Sequence, residues 1–318
     1  LWLFATVATG TYWLVDRGWH ATHRKEIEGV KTLPPEVIKL RKAHIPFRTL
    51  RRLGAHNEVY DLEVTHHEIA IPDLPEPFDG YRIAFMTDTH VASFMRRSFY
   101  RECVEQINRR DVDLVLLGGD FVSWKRHIPL MAKLLLDGLE SRDGIYAVLG
   151  NHDYWSDPDA IIAAMMPKGV EFLTNRSVQL RRGGSTIDLL GIDEIYRGDP
   201  KVDRAFSGVP GDRPCIGVSH HPDIVNEIGD RRIDLLLAGH THGGQIRFPF
   251  LGAVVVPSKH EGLYDSGFHR QKRVLLYVSR GLGAVPPIRI LCKPELATFT
   301  LRRDGETEGR RDGETEEA

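Results

Sequence analysis

Five short segments of this 318-residue chain carry side chains suited to holding metal ions: Asp88-Thr89-His90, Gly118-Gly119-Asp120, Gly150-Asn151-His152-Asp153, Ser219-His220-His221-Pro222 and Gly239-His240-Thr241-His242. Within them Asp88, His90, Asp120, Asn151, His220, His240 and His242 offer carboxylate oxygen, amide oxygen and imidazole nitrogen, with no thiolate. That donor set suits two first-row divalent ions, manganese placed ahead of iron or zinc. One aspartate can bridge such a pair at a separation of roughly 3.5–4 Å. The pair acidifies a shared water to hydroxide and clamps the entering and leaving oxygens of an in-line displacement at phosphorus. His152 follows Asn151 directly, where an imidazole can protonate a leaving oxygen or stabilise equatorial charge. A lone D-x-H or G-D would mean little, because Asp and Gly are ordinary turn residues. Five segments in order carry more weight, because each stands behind an apolar run.

Those runs, 81–87, 112–117, 145–149, 215–218 and 233–238, read as buried strands. In an open α/β sheet, ligands gather outside the carboxyl ends of the strands. The dispersed residues are therefore expected to meet on one edge. Apolar residues at helical spacing predict helices over 98–109 and 128–139, and Ser156 with early Asp and Pro predicts another over 157–166. Strand, helix and strand within about 30 residues is the size of a βαβ unit with parallel pairing. An edge strand is expected at 61–71, and further strands at 171–173, 178–180, 186–190, 274–278 and 296–301.

The blocks D-x-H, G-D, G-N-H-[DE], an isolated H and G-H-x-H resemble the calcineurin-like metallophosphoesterase superfamily, over roughly 81–303. The resemblance implies an α/β fold of two packed mixed β-sheets flanked by helices, an α-β-β-α arrangement. It implies that Asp88, His90, Asp120 and His242 hold one metal. Asp120 would bridge to a second, held also by Asn151, His220 and His240, and His152 would be the catalytic histidine. The family pattern selects His220, two residues before Pro222, and leaves His221 as a neighbour. Segments 219–223, 239–257 and 279–283 are similar to a bacterial membrane-associated subgroup. Its relatives include enzymes that split UDP-diacylglucosamine. The protein Ser/Thr phosphatases of the superfamily carry an Asp-Arg pair beginning three residues after the bridging aspartate, where this chain has Ser123 and Trp124. Asp153 is the candidate replacement for orienting His152.

Composition bounds the rest. A net charge of −2 gives no global field for nucleic acid. Cys103, Cys215 and Cys292 are widely spaced and odd in number, which excludes a complete disulfide framework. Residues 1–23 read as the remnant of a membrane anchor, apolar or small through residue 15. Residues 24–60 form a basic juxtamembrane connector, with seven Lys/Arg and one acid, Glu36, between Lys31 and Arg52. Its charge favours the cytoplasmic face, with the extracytoplasmic face as the alternative; residues 37–44 read as helical. Residues 61–303 form the catalytic domain. Residues 304–318 read as a charged, disordered tail, and they contain most of a duplication of RRDGETE at 302–308 and 310–316.

Loop residues set the substrate. Arg247, Phe248, Phe250, Tyr264 and Arg280 follow the last ligands or a late strand, and Tyr154 and Trp155 follow His152. The expected function is hydrolysis of a phosphodiester or pyrophosphate bond by a metal-bridging hydroxide at a membrane surface, on a substrate such as a nucleotide-linked lipid. A non-catalytic metal-binding membrane adaptor is the reading from another class. A nuclease would need a basic groove around the metals, whereas the basic excess lies in the connector.

Overall fold

The computed structural model describes residues 27–40, 56–248, 252–253, 255–258 and 264–304. Two sheets form its centre. The first has strand order β1-β2-β15-β3-β4-β5-β6, where β1 is Val30–Lys39, β2 Asp61–Ile71, β3 Arg82–Met86, β4 Leu114–Leu117, β5 Ile145–Ala147, β6 Val170–Phe172 and β15 Glu295–Arg303. The second has order β13-β14-β10-β9-β8-β7, where β7 is Arg176–Arg182, β8 Ser185–Ile192, β9 Cys215–Ser219, β10 Leu235–Ala238, β13 Gly267–Gln271 and β14 Val274–Val278, and a separate two-stranded ribbon pairs β11 (Arg247–Phe248) with β12 (Gly252–Ala253). Both sheets are mixed. β3, β4, β5 and β6 run parallel and β15 antiparallel to β3; β8, β9, β10 and β14 run parallel with antiparallel edges.

The apolar runs of the sequence are continuous because both faces of each central strand are covered. Side chains alternate across a strand, and here the alternation separates three cores. Ile83, Phe85, Leu114 and Leu116 meet Ile216, Val218, Leu235, Leu237, Leu275 and Tyr277 between the sheets. Ala84, Met86, Val115 and Leu117 point the other way, towards helices. Leu236, Ala238, Leu276 and Val278 bury the far face of the second sheet. The helices on the first sheet are α1 (Arg97–Asn108), α2 (Ile128–Leu136), α3 (Asn151–Ser156) and α4 (Pro158–Met165). α1 buries Phe99, Tyr100, Cys103, Val104 and Ile107, one face at helical spacing. Asp157 caps α4 by accepting the Ala160 N–H at 3.0 Å, and Pro158 takes the first helical position. A short α5 (Val202–Ala205) and the Pro222–Asn226 turn cover the second sheet.

Two expectations change. Residues 37–44 were read as helical, but Val37–Lys39 belong to β1, and residues 41–55 lie outside the described residues. β1 pairs antiparallel with β2, and its register shifts between Leu33 and Glu36. Pro34 and Pro35 sit in that shift, on an edge strand, where a missing N–H costs no ladder bond. The first sheet therefore begins within the basic connector, and residues 61–71, expected as an edge strand, form β2, an interior strand paired on both sides by β1 and β15. The anchor expected over 1–23 lies outside the described residues, as does the tail beyond Asp304. Among the described residues no helix is long and apolar enough to cross a membrane.

Candidate metal centre

Each motif sits where an apolar strand ends. Asp88 and His90 follow β3, Asp120 follows β4, Asn151 and His152 open α3 beyond β5, His220 follows β9, and His240 and His242 follow β10. The loops are laced together by backbone bonds. Asp88 N–H donates to Gly119 O at 2.9 Å, His90 N–H to Asp120 O at 2.9 Å, Gly239 N–H to His220 O at 2.9 Å and Gly283 N–H to Asp88 O at 2.6 Å. Tyr100 on α1 donates to Thr89 O at 2.8 Å, tying the first loop to its helix. The approach is close enough to require glycine. A Cβ at Gly150 would lie 2.2 Å from Asp120 Oδ1, and one at Gly239 2.2 Å from Asp88 Oδ2.

The backbone at the site is strained. Asp88, His90, Asp120, His240 and His242 have φ of 51°, 43°, 53°, 70° and 52°, the left-handed region that L-residues seldom occupy. Such outliers persist only where the surroundings over-determine them, and they concentrate at functional sites.

The side chains form two clusters that share one aspartate: Asp88, His90, Asp120 and His242, and Asp120, His220 and His240. Two donors on one ion, with bonds of about 2.1 Å, lie about 3.0 Å apart at a right angle and about 3.4 Å apart at a tetrahedral angle. The first cluster matches: His90 Nε2 is 3.0 Å from His242 Nε2, His242 Nε2 is 3.4 Å from Asp88 Oδ1, and His90 Nε2 is 3.4 Å from Asp120 Oδ2. So does the second. His220 Nε2 is 3.4 Å from Asp120 Oδ2, His240 Nδ1 is 3.2 Å from His220 Nε2, and His240 Nδ1 is 2.9 Å from Asn151 Oδ1. Asp120 Oδ2 therefore faces both groups, while Oδ1 accepts the His152 N–H at 2.8 Å. Imidazole nitrogens at such distances can share a proton or face a common cation; with the Asp88, Asp120 and Asn151 oxygens converging on them, the residues fit a pair of divalent ions.

Outer partners set the orientations. His220 Nδ1 donates to Gly118 O at 2.8 Å, which turns Nε2 towards Asp120. Asp88 accepts the His240 N–H at 3.0 Å and the Thr87 hydroxyl at 2.8 Å. Burial, reinforced by the Arg289 guanidinium, holds His242 down to about 3, and burial holds His90 down to about 3. Burial likewise holds His240 well below the usual imidazole value. These three imidazoles are neutral, as ligands must be. Burial opposes charge on His220 too, but Asp120 outweighs it and pushes His220 up to about 10, so a cation taken up by Nε2 would displace a proton that Asp120 otherwise holds there.

All eight residues singled out by sequence are thus brought together. The His152 ring lies edge-on to His90 with centroids 4.7 Å apart, and edge-on to Trp155 at 4.7 Å. His221 Nδ1 accepts the Asp223 N–H at 3.1 Å, and its ring packs 4.2 Å from His240, so it supports a candidate ligand. Asp153 does not orient His152. Both its oxygens are taken by backbone donors, Asp120 N at 2.8 Å, Phe121 N at 2.8 Å and Gly150 N at 2.9 Å. The two arginines among the loop residues are engaged in ion pairs, Arg247 with Asp265, and Arg280 with Glu63 and Glu295. Tyr264 is buried and Phe248 exposed, while Phe250 lies outside the described residues.

Sequence reasoning passed over Arg289. This fully buried guanidinium donates to backbone carbonyls of Arg280 at 2.7 Å, Gly281 at 3.1 Å, Gly283 at 2.6 Å, Cys292 at 3.3 Å and His242 at 3.3 Å. It also passed over Tyr196 and Arg197. With Trp155, Asn151, His240, Pro257 and Ser258 they line a cavity of about 450 Å³ beside the second cluster. No local motif marks any of the three.

Residues 81–244 match the calcineurin-like phosphoesterase family. The chain is 30% identical over 255 residues to the uncharacterized metallophosphoesterase YkuE of Bacillus subtilis, covering 77% of this chain and 87% of that protein. It is 28% identical over 244 residues to the phosphodiesterase YaeI of Escherichia coli, covering 75% of this chain and 88% of that one. It is 29% identical over 265 residues to a transmembrane protein with metallophosphoesterase domain of Danio rerio, covering 79% of this chain and 60% of that protein.

Proposed function

Given that the chain belongs to the calcineurin-like phosphoesterase family, we propose that it is a two-cation hydrolase of phosphodiester or pyrophosphate bonds. The observation that carries this is Asp120 Oδ2, 3.4 Å from His90 Nε2 in one cluster and 3.4 Å from His220 Nε2 in the other. Asp88, His90, Asp120 and His242 would hold one ion, and Asp120, Asn151, His220 and His240 the other, with manganese the first choice among manganese, iron and zinc. When bound, such a pair lowers the pKa of water and neutralises charge on phosphoryl oxygens.

The chain's own residues do the rest. Asp120, fixed through Oδ1 by the His152 N–H, keeps Oδ2 turned to both clusters. His152 has its ring against His90 and only partly buried, so it can reach a leaving oxygen and give it a proton. The relative named a phosphodiesterase supports the diester reading. The relative named a transmembrane protein, with the apolar run through residue 15, supports an anchored enzyme acting at a membrane surface, on a substrate such as a nucleotide-linked lipid. The basic segment behind that run favours the cytoplasmic face.

The test is hydrolysis of bis(p-nitrophenyl) phosphate by protein loaded in turn with manganese, iron and zinc, with bound metal counted by mass spectrometry. Turnover that a chelator abolishes and manganese restores, and that Asp120→Asn loses together with metal, supports the reading. Wild type no faster than Asp120→Asn with every metal would sink it and favour a non-catalytic adaptor.

A further inference from the structure

We propose that the cavity beside the second cluster is a subsite for a planar aromatic arm of the substrate, so that the phosphoesters this enzyme prefers carry a flat ring next to the scissile phosphate. This rests on the hydrolase reading above, and it concerns what lies outside the metal ligands. The cavity opens on Asn151 and His240, so a group seated in it adjoins the reacting phosphate. Two of its walls are aromatic and open: Trp155 is 57% and Tyr196 37% exposed. Large aromatic side chains left in water beside a polar site are binding surfaces more readily than packing residues. The Arg197 guanidinium stands 5.4 Å over the Trp155 ring, which steadies the indole and adds a cationic edge for an anionic ester.

The walls are held in place before anything binds. Tyr196 packs edge-on against His221 at 4.5 Å and lies 5.7 Å from His240, so its ring is joined to the ligand cluster. The Glu194 carboxylate, fully buried, accepts the N–H of Tyr196 at 2.8 Å and of Arg197 at 2.6 Å. Asp193 Oδ1 accepts the Tyr154 hydroxyl at 2.7 Å, and Oδ2 accepts the Asp199 N–H at 3.0 Å. Tyr154 lies between His152 and Trp155 on α3. One hydrogen bond therefore fixes the helix bearing Trp155 to the loop bearing Tyr196 and Arg197. A cavity with preformed aromatic walls favours flat ligands that can lie against a ring, because no ordering of the walls is needed when one enters.

Binding to manganese-loaded protein tests this without relying on turnover. Phenylphosphonate and cyclohexylphosphonate share the anion and a six-carbon ring, and only the first is flat. Calorimetric titration is expected to give phenylphosphonate about tenfold tighter binding, the scale of aromatic stacking. Trp155→Leu and Tyr196→Leu should each bring the ratio close to one, while Trp155→Phe keeps it. A ratio near one in wild type overturns the proposal. So does a ratio that survives both leucine variants, because the discriminating surface then lies elsewhere. Hydrolysis of the chromogenic diester stands apart: preference without hydrolysis rejects the enzyme reading, and hydrolysis without preference rejects only the subsite.

Discussion

Asp153 holds Asp120 through the backbone: Asp153 Oδ2 accepts the Asp120 N–H at 2.8 Å. The same carboxylate takes the N–H of Phe121 and of Gly150. It therefore fixes the loop that presents Asp120 to the turn that presents Asn151. An amide has one acceptor oxygen and turns donor hydrogens on its other side. Asp153→Asn should leave at least one buried N–H unpaired, at a cost of about 1–3 kcal/mol. The expected result is a lower Tm and weaker metal binding, measured by thermal unfolding and metal titration. A folded variant with native metal affinity would confine Asp153 to a role in stability.

His152 gives its main-chain N–H to Asp120 and leaves its ring edge-on to His90, where the proposed function has it donate a proton. Removing the ring leaves that N–H in place. His152→Ala is therefore expected to retain both metals while turnover falls roughly 10²–10⁴-fold, the usual contribution of a positioned acid. Metal counting alongside kcat checks this; loss of metal in the variant would make His152 part of the metal shell instead.

The candidate ligands were legible in the sequence because apolar runs that alternate into two cores must end somewhere, and these residues stand at their ends. Asp88 after β3 and His240 after β10 are legible from neighbouring residues alone. Three things were not. β1 hid behind Pro34 and Pro35, which argue against a strand unless the strand is an edge with a register shift. Asp153 reads as a partner for the adjacent imidazole, yet it serves three backbone donors, because orientation is decided by the turn and not by adjacency. Tyr196 and Arg197 lie far in sequence from Trp155, and it takes the Tyr154–Asp193 bond and the Arg197–Trp155 contact to bring the two walls together.

Arg289 predicts a positioning effect on the first cluster. Its guanidinium spans the carbonyls of Gly281, Gly283 and His242, and so ties the loop that backs Asp88 to the turn that carries His242. An ammonium has three donors and no planar fork. Arg289→Lys should therefore bind the first metal more weakly while leaving the second close to native. Stepwise metal titration with mass detection separates the two. Equal weakening of both sites would mean general loosening of the fold.

Acid should expose the ion network behind the site. Burial alone would raise Glu295, but Arg280, held also by Glu63, and the Tyr277 hydroxyl at 2.7 Å outweigh it and bring Glu295 down to about 2 from 4.5. A carboxyl whose pKa is lower in the folded than in the unfolded state stabilises above the unfolded value. That stability fades as pH drops from 4.5 towards 2, up to about 3 kcal/mol in all. Glu295→Gln cannot take part in this proton linkage, so its stability should fall less steeply over that window. Urea unfolding of both proteins in metal-free buffer from pH 6 to pH 3 gives the two slopes. Parallel slopes would place the acid sensitivity in other carboxylates, leaving the Arg280–Glu295 pair a matter of packing.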